Sequence, residues 1–184
     1  MNIASSILIM LSLFAASSAQ AFDGKRTGLQ IGLGVGMSST VVDYASGDTV
    51  AGIQSNNIAT SAQIGFGLNE YLSIHVGGIG ASVNNGGDTQ NFSTIVGVGA
   101  TWYLARSAAS LYVTGLYGKG FLGGPDDERT IDTSAPAWMI GAGYELSSHL
   151  QVQASYANSG STIEGQESSN DFRATYFTAK YVFY

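Results

Sequence analysis

Apolar residues alternate with glycines and small polar residues along most of the chain. From Leu29 to Met37 apolar side chains occupy every second position, and Gln30 and three glycines stand between them. A period of two indicates a β-strand with one apolar face. The same alternation predicts eight strands in all. They lie near residues 29–37, 58–68, 72–76, 92–104, 110–121, 138–146, 150–156 and 176–183.

Three details of the alternation affect the assignment of faces. Ile95 falls out of phase with the other apolar residues of the fourth strand, and the fifth strand has no clear phase. The eighth strand has two alternative phases, because it ends in two aromatic residues. We take Phe183 as the last member of the outward apolar set, since ending that set at Tyr184 would turn Lys180 towards lipid.

Short connections alternate with long polar ones. The short links are residues 69–70, 105–108 and 147–149, and the long ones are residues 38–57, 84–91, 122–134 and 157–170. Short turns at one end and long loops at the other are typical of outer-membrane barrels. Within lipid a sheet must close on itself, because every backbone group needs a partner. The sequence therefore predicts an all-β fold, an eight-stranded antiparallel up-and-down transmembrane β-barrel whose eighth strand pairs with its first.

The faces opposite the apolar ones are expected to line the barrel interior. They carry mostly Gly, Ser, Thr and Gln, whereas a soluble β-sandwich would place charged residues on its solvent faces. Inward glycines leave room for the larger inward side chains of Gln30, Tyr103, Gln151, Gln153 and Tyr176. An eight-stranded barrel is just wide enough for side chains to fill. We therefore expect a polar plug and no open pore.

The N-terminal segment is expected to be a leader that is removed from the mature protein. An apolar run from Ile7 to Ala16 precedes the sequence Ala19-Gln20-Ala21, which fits a signal-peptidase site. This pattern predicts a signal peptide over residues 1–21 and a barrel domain over residues 22–184. An uncleaved membrane anchor is the alternative, but the run is shorter than the ~20 residues that a spanning helix needs.

Composition excludes several classes of function. The chain of 184 residues has no cysteine, which excludes a disulfide framework, a thiolate zinc site and a cysteine nucleophile. Lys and Arg number 7 against 13 Asp and Glu, and this net charge of −6 disfavours nucleic-acid binding. The acidic residues 126–128 lack the alternating ligands of a calcium loop. We therefore expect no bound metal and no cofactor.

Three segments carry a family resemblance: IGFGLNEYLSIHVGG at residues 64–78, GAGYELSSHLQVQASY at residues 141–156, and the aromatic C-terminal strand ATYFTAKYVFY. They resemble the small outer-membrane barrels of the OmpA/OmpX/opacity-protein type, a porin-like group of Gram-negative bacteria. The resemblance implies a location in the outer membrane and a structural or surface-interaction role without enzymatic activity. A narrow solute channel is the alternative function, and a lipid A-modifying hydrolase is a further one.

The hydrolase alternative lacks a residue that its chemistry needs. Lipid A deacylases, which resemble the C-terminal part of this chain, carry a His-x-Ser-Asn motif on the seventh strand and a glutamate further on. The corresponding stretch here, YANSG at residues 156–160, is followed by Glu164 and Glu167 but contains no histidine. Without an imidazole the serine stays unactivated. His149 is expected at the opposite end of the barrel, and His75 is expected to form interior hydrogen bonds.

Two of the few charged residues are expected inside the barrel. Glu145 and Lys180 both fall on inward faces near the short turns. A buried charge is costly unless it is paired or hydrogen-bonded, so we expect Glu145 and Lys180 to form a structural ion pair. The alternative is that each contacts interior water and polar side chains separately.

The positions of the remaining charged residues bear on which binding partners the protein has. Ten of the 13 acidic residues fall in or beside the long connections: Asp43, Asp48, Asp88, Asp126, Asp127, Glu128, Asp132, Glu164, Glu167 and Asp171. Such a rim would repel lipopolysaccharide phosphates without divalent ions and would not suit polyanionic glycans. The expected partner at that rim is therefore a surface protein, or there is no partner there. Outer-membrane lipid and lipopolysaccharide are expected around the barrel, and the resemblance implies that the barrel-assembly machinery recognises the C-terminal strand.

Overall fold

The computed structural model describes residues 26–46, 49–84, 90–107, 109–123, 135–162 and 168–184. Within them the chain forms a closed antiparallel barrel with its strands in sequence order, which confirms the predicted fold class. The strands are β1 (Gly28–Ser46), β2 (Thr49–Gly67), β3 (Leu72–Asn84), β4 (Gln90–Tyr103), β5 (Leu111–Gly123), β6 (Ala135–Glu145), β7 (Leu150–Thr162) and β8 (Ser168–Phe183). No helix in this part of the chain is long and apolar enough to cross a membrane. The expected leader lies outside the described residues.

The barrel has two distinct ends. The turn end carries the connections at residues 68–71, 104–110 and 146–149, together with residues 26 and 184. The hairpin end is the opposite end, where β1 is joined to β2, β3 to β4, β5 to β6 and β7 to β8. β1 closes the barrel by pairing with β8, from Ile31 opposite Phe183 to Ser46 opposite Ser168. Closure leaves neither of these strands with an open edge in lipid.

The outward and inward faces agree with the alternation in the sequence. Outward apolar side chains are exposed, as at Leu33 (55%) and Phe177 (62%), while Gln30 and Lys180 on the other face are buried. The eighth strand therefore has the phase in which Phe183 ends the outward set. Tyr184, one residue further, directs its hydroxyl into the interior, where it bonds buried side chains.

The strands extend further towards the hairpin end than the sequence predicts. β1 and β2 remain paired until Ser46 meets Thr49, so most of the loop predicted at residues 38–57 is strand. β7 and β8 likewise remain paired up to Thr162 and Ser169. Beyond the membrane the outward face of a strand no longer contacts lipid and can carry polar residues, so the alternation stops while the hydrogen-bonded ladder continues. The prediction of loops is wrong for these stretches.

The interior contains an apolar layer as well as a polar one, which corrects the expectation of a polar plug. The apolar layer lies in the half nearer the hairpin end. It consists of Ala59, Ile79, Ala81, Ile95, Leu116, Ala137, Met139, Ala157, Phe172, Ala174 and Tyr176. Ile95 is out of phase with the outward residues of β4 because it belongs to this layer. The polar layer lies in the half nearer the turn end and includes the buried side chains of Gln30, Glu145, Gln151, Gln153 and Lys180.

Large apolar and aromatic groups in the interior also explain why β5 has no clear phase in the sequence. Tyr112 and Leu116 are buried in the interior, while Val113 and Tyr117 are exposed on the outside. Both faces of the strand therefore carry large apolar groups. A strand of this kind lacks the contrast between faces on which the alternation argument depends.

Candidate functional site in the barrel interior

Arg26 enters the barrel at the turn end just before β1 begins. Gly28 has a φ of 96°, a left-handed conformation that glycine adopts without strain, and the side chain of Arg26 is buried. Gln30 Nε2 donates a hydrogen bond to the Arg26 carbonyl at 2.6 Å. A Cβ atom at Gly67 would collide with that same carbonyl. The glycine therefore allows the residue 26 backbone to approach β2 closely.

The Arg26 guanidinium joins three parts of the turn end. Its Nε and Nη2 donate to one oxygen of the Glu145 carboxylate, the Nε at 3.0 Å. Its remaining hydrogen bonds reach carbonyl oxygens of Glu70 at 2.9 Å, Ala105 at 2.6 Å, Arg106 at 3.3 Å and Ser107 at 2.7 Å. These acceptors belong to the end of β6 and to the β2–β3 and β4–β5 connections. A forked, permanently charged donor suits this arrangement, since it can serve several acceptors at once.

The second oxygen of Glu145 is bonded to the last residue of the chain. Tyr184 donates its hydroxyl to Glu145 Oε1 at 2.9 Å and accepts from Gln151 Nε2 at 3.1 Å. Gln151 Nε2 also donates to the Tyr103 hydroxyl at 2.9 Å, and the Arg26 guanidinium lies 4.1 Å from the centre of the Tyr103 ring. Glu145 is fully buried, so these bonds compensate for its loss of water. We call these five residues the mouth network.

The partner of Glu145 thus differs from the one expected. Both Glu145 and Lys180 lie inside the barrel, but the ion pair joins Glu145 to Arg26. The strand register explains the difference, because Gln151 stands opposite Glu145 on one side and opposite Lys180 on the other. One strand therefore separates the two charges. Lys180 donates instead to Gln63 Oε1 at 3.4 Å.

His75 and Lys180 belong to the middle of the interior. Lys180 Nζ lies 5.8 Å from the centre of the Tyr112 ring, and the Tyr112 hydroxyl donates to Gln153 Oε1 at 3.3 Å. His75 is buried as expected, but its Nδ1 has no hydrogen-bond partner in the protein. The expected hydrogen bonding of His75 is therefore not observed at that nitrogen.

The residues of the hydrolase alternative do not assemble into a triad within the described chain. Ser159 is buried inside the barrel. His149 lies at the turn end, where its Nδ1 is 3.1 Å from the Val182 carbonyl oxygen and its ring stacks on Tyr181. His75 lies on β3, and Glu164 and Glu167 fall outside the described residues. Among the residues that the structure does describe, no three metal-binding side chains form a cluster.

Comparison with known proteins connects this architecture to a family. The family model described as outer membrane protein beta-barrel domain matches residues 6–183. The chain belongs to this family. Its outward apolar face accordingly contacts outer-membrane lipid, and in such barrels the short turns lie on the periplasmic side.

Solved barrels share the fold at low sequence identity. Ail, the attachment invasion locus protein of Yersinia pestis, has a TM-score of 0.52 at 14% identity, covering 85% of this chain and 99% of that one. Ail in complex with the heparin analogue sucrose octasulfate gives 0.54 at 13% identity, with the same coverage. Neisserial surface protein A gives 0.55 at 12%, covering 85% and 97%. No curated protein sequence matches. Together with the family match, these structures confirm the resemblance to small outer-membrane barrels.

Sequence reasoning missed two members of the mouth network. Arg26 precedes the first alternating segment and Tyr184 follows the last outward residue, so neither falls on a predicted strand face. One signal was present. Glu145 is a carboxylate on an inward face, the chain has only 7 basic residues, and Arg26 stands two residues before β1.

Proposed function

We propose that the protein is a non-enzymatic outer-membrane barrel that acts through the surface it projects from the membrane. The observation that best supports this proposal is that the paired sheet continues beyond the apolar band, which is the belt of outward apolar side chains around the barrel. On β1 the unbroken run of outward apolar residues ends at Met37, which pairs with Ile58 on β2 and Phe177 on β8. The next outward positions on these three strands are Ser39, Asn56 and Thr175. The band therefore ends at one level on all three strands.

The projection beyond this level is large. β1 continues from Met37 to Ser46 with both neighbours still paired. Nine residues span about 30 Å along a strand, or about 23 Å along the axis of a barrel whose strands tilt by about 40°. A sheet of that height presents a surface outside the membrane, where a structural or interaction role is performed.

The filled interior supports this role over transport. A solute crossing the barrel would have to displace the apolar layer in the hairpin half and then break the mouth network at the turn end. The two obstacles lie in series, and each consists mainly of buried side chains. We accordingly disfavour the narrow solute channel.

The C-terminal strand supports the expected recognition by the barrel-assembly machinery. Phe177, Ala179 and Tyr181 are exposed on its outward face, and Phe183 follows in the same phase. We propose that this face is what the machinery reads, and that removal of residues 1–21 precedes closure, since Arg26 lies inside the barrel mouth close to the cleavage site.

The projecting hairpin can be shortened without disturbing the membrane band. Residues 43–52 are replaced by Asn-Gly, a dipeptide that favours a tight hairpin turn, so that Val42 and Ile53 keep their pairing. Cells carrying this variant are compared with the wild type for binding to immobilised extracellular proteins and for detergent sensitivity. We expect heat-modifiable gel migration to be retained and surface binding to be lost. If every surface phenotype persists, the role does not belong to the projecting sheet.

Two further measurements test the alternatives. Planar-bilayer recording of the refolded barrel should show no steady conductance, and a steady conductance would replace this proposal with the channel. Mass spectra of lipid A should be unchanged in cells that express the protein, and deacylated lipid A would restore the hydrolase.

We also expect no binding of sucrose octasulfate, because the acidic residues predicted at the hairpin end disfavour a polyanion.

A further inference from the structure

We propose that the barrel interior holds a single monovalent anion of chloride size beside Lys180. A cavity of about 20 Å³ lies within the interior between the polar and apolar layers. Its polar lining includes Ser61, Gln63, His75, Gln153 and Lys180. The proposal concerns a site separate from the mouth network and does not depend on the surface role proposed above.

The charge of Lys180 is not balanced by a carboxylate among the described side chains. Lys180 is only 5% exposed, and a buried ammonium without a counter-charge is costly. The carboxylates whose side chains the structure describes are Glu70 and Glu145, and both accept hydrogen bonds from Arg26. Neither is bonded to Lys180. Within the described residues, the interior near Lys180 therefore carries one uncompensated positive charge.

The side chains around the cavity carry more hydrogen-bond donors than they use within the protein. Gln63 Oε1 accepts from Lys180, and Gln153 Oε1 accepts from Tyr112. Each amide therefore still has NH₂ protons to donate. Ser61 Oγ and His75 Nδ1 are buried without a hydrogen-bond partner in the protein. The lining thus offers a surplus of donors, and an acceptor with negative charge would complement it.

Size and surroundings narrow the class of anion. One water-sized particle needs about 10–15 Å³ of such space, so the cavity suits a particle little larger than water and excludes sulfate, phosphate and carboxylates. Ile79, Leu116 and Met139 cover the side towards the hairpin end. These apolar neighbours lower the local dielectric, which strengthens the attraction between an anion and Lys180.

The proposal is tested by halide-dependent stability. The barrel is refolded in detergent micelles and unfolded with urea at constant ionic strength in sodium chloride, sodium bromide or sodium gluconate. Fluorescence of Trp102 and Trp138 reports unfolding. Chloride at ten times its dissociation constant should raise the folding equilibrium constant about tenfold over gluconate, which is too large for the cavity. Bromide should act in the same way and give an anomalous scattering peak beside Lys180. Equal stability in all three salts would overturn the proposal.

Three variants locate the effect. Lys180→Met removes the charge and should abolish the halide dependence. Gln153→Glu supplies a carboxylate inside the cavity and should also abolish it, while making the barrel more stable in gluconate than the wild type. Thr40→Val removes a buried hydroxyl that also lacks a protein partner but does not line the cavity, and it should keep the full dependence. If Lys180→Met or Gln153→Glu still responds to chloride, the anion is not bound at this site.

Discussion

Replacing Arg26 with methionine would leave the Glu145 carboxylate buried without its cation. The two side chains form an ion pair and both are almost completely shielded from solvent. Removing one partner of such a pair costs about 3–5 kcal/mol, because the other charge remains desolvated. The carbonyls that Arg26 also binds, at Ala105 and Ser107, belong to exposed residues, so water can replace the guanidinium there. Most of the cost should therefore come from Glu145.

A double-mutant cycle separates this effect from a general loss of packing. Arg26→Met and Glu145→Met should each lower the free energy of unfolding by about 3–5 kcal/mol, whereas the double variant should lose about 1 kcal/mol or less, since an apolar pair of similar volume is often neutral. The resulting coupling energy is about 5 kcal/mol or more. The matched cycle pairs Glu145→Met with Lys180→Met. Its coupling should stay below about 0.5 kcal/mol, because these side chains do not bond each other.

Urea unfolding of the refolded barrel in micelles, followed by tryptophan fluorescence, measures all these variants. The two cycles share Glu145→Met, so an error in that reference affects both alike. Additive effects of Arg26→Met and Glu145→Met would refute the reasoning. A larger coupling between Glu145 and Lys180 would show that the ion pair expected from the sequence forms after all.

Three further outcomes follow from the outward face, the wall and the C-terminus. Ala179→Arg should reduce the fraction folded into bilayers, measured on heat-modifiable gels, more than Tyr181→Arg does. A lipid-facing charge costs about 2–4 kcal/mol near the midplane and about 0–1 kcal/mol near the interface. Equal losses would contradict the placement of Ala179 deeper in the membrane than Tyr181. Gly118→Ala should prevent folding because a Cβ there collides with backbone of β4, whereas Gly115→Ala, whose Cβ meets only ordinary contacts, should fold normally. Tyr184→Phe removes a hydrogen bond to a buried carboxylate and should lower the free energy of unfolding by about 1.5–3 kcal/mol, and an unchanged urea midpoint would show that this bond contributes nothing.

The fold was predictable because lipid imposes one rule on every strand. Within the membrane band an outward residue must be apolar, so the alternation marks strand, phase and even the face of Phe183 in the last strand. Outside the band this rule does not apply. The ladder of backbone hydrogen bonds continues along β1 and β2 to Ser46 and Thr49, and such bonds leave no pattern in the sequence.

The interior was harder to predict because its contacts depend on strand register. Glu145 and Lys180 were correctly expected inside, but only the register places Gln151 between them. The apolar layer was partly visible, since Ile95 breaks the alternation of β4 and β5 has no clear phase. An interior with its own apolar layer produces these irregularities. They cannot be interpreted when only one face of each strand is assumed to be apolar.

The pairing of β1 with β8 also sets the order of events during assembly. Its sixteen residue pairs join positions more than 120 residues apart in the chain, whereas every other strand pair joins consecutive strands. Hairpins can form one after another, but the seam between β1 and β8 cannot form until β8 is available to pair. Until then both edges are open, and open edges aggregate in water and are not tolerated in hydrocarbon. β8 therefore decides when the barrel can close, and a chain that lacks β8 should not assemble into a closed barrel in a bilayer.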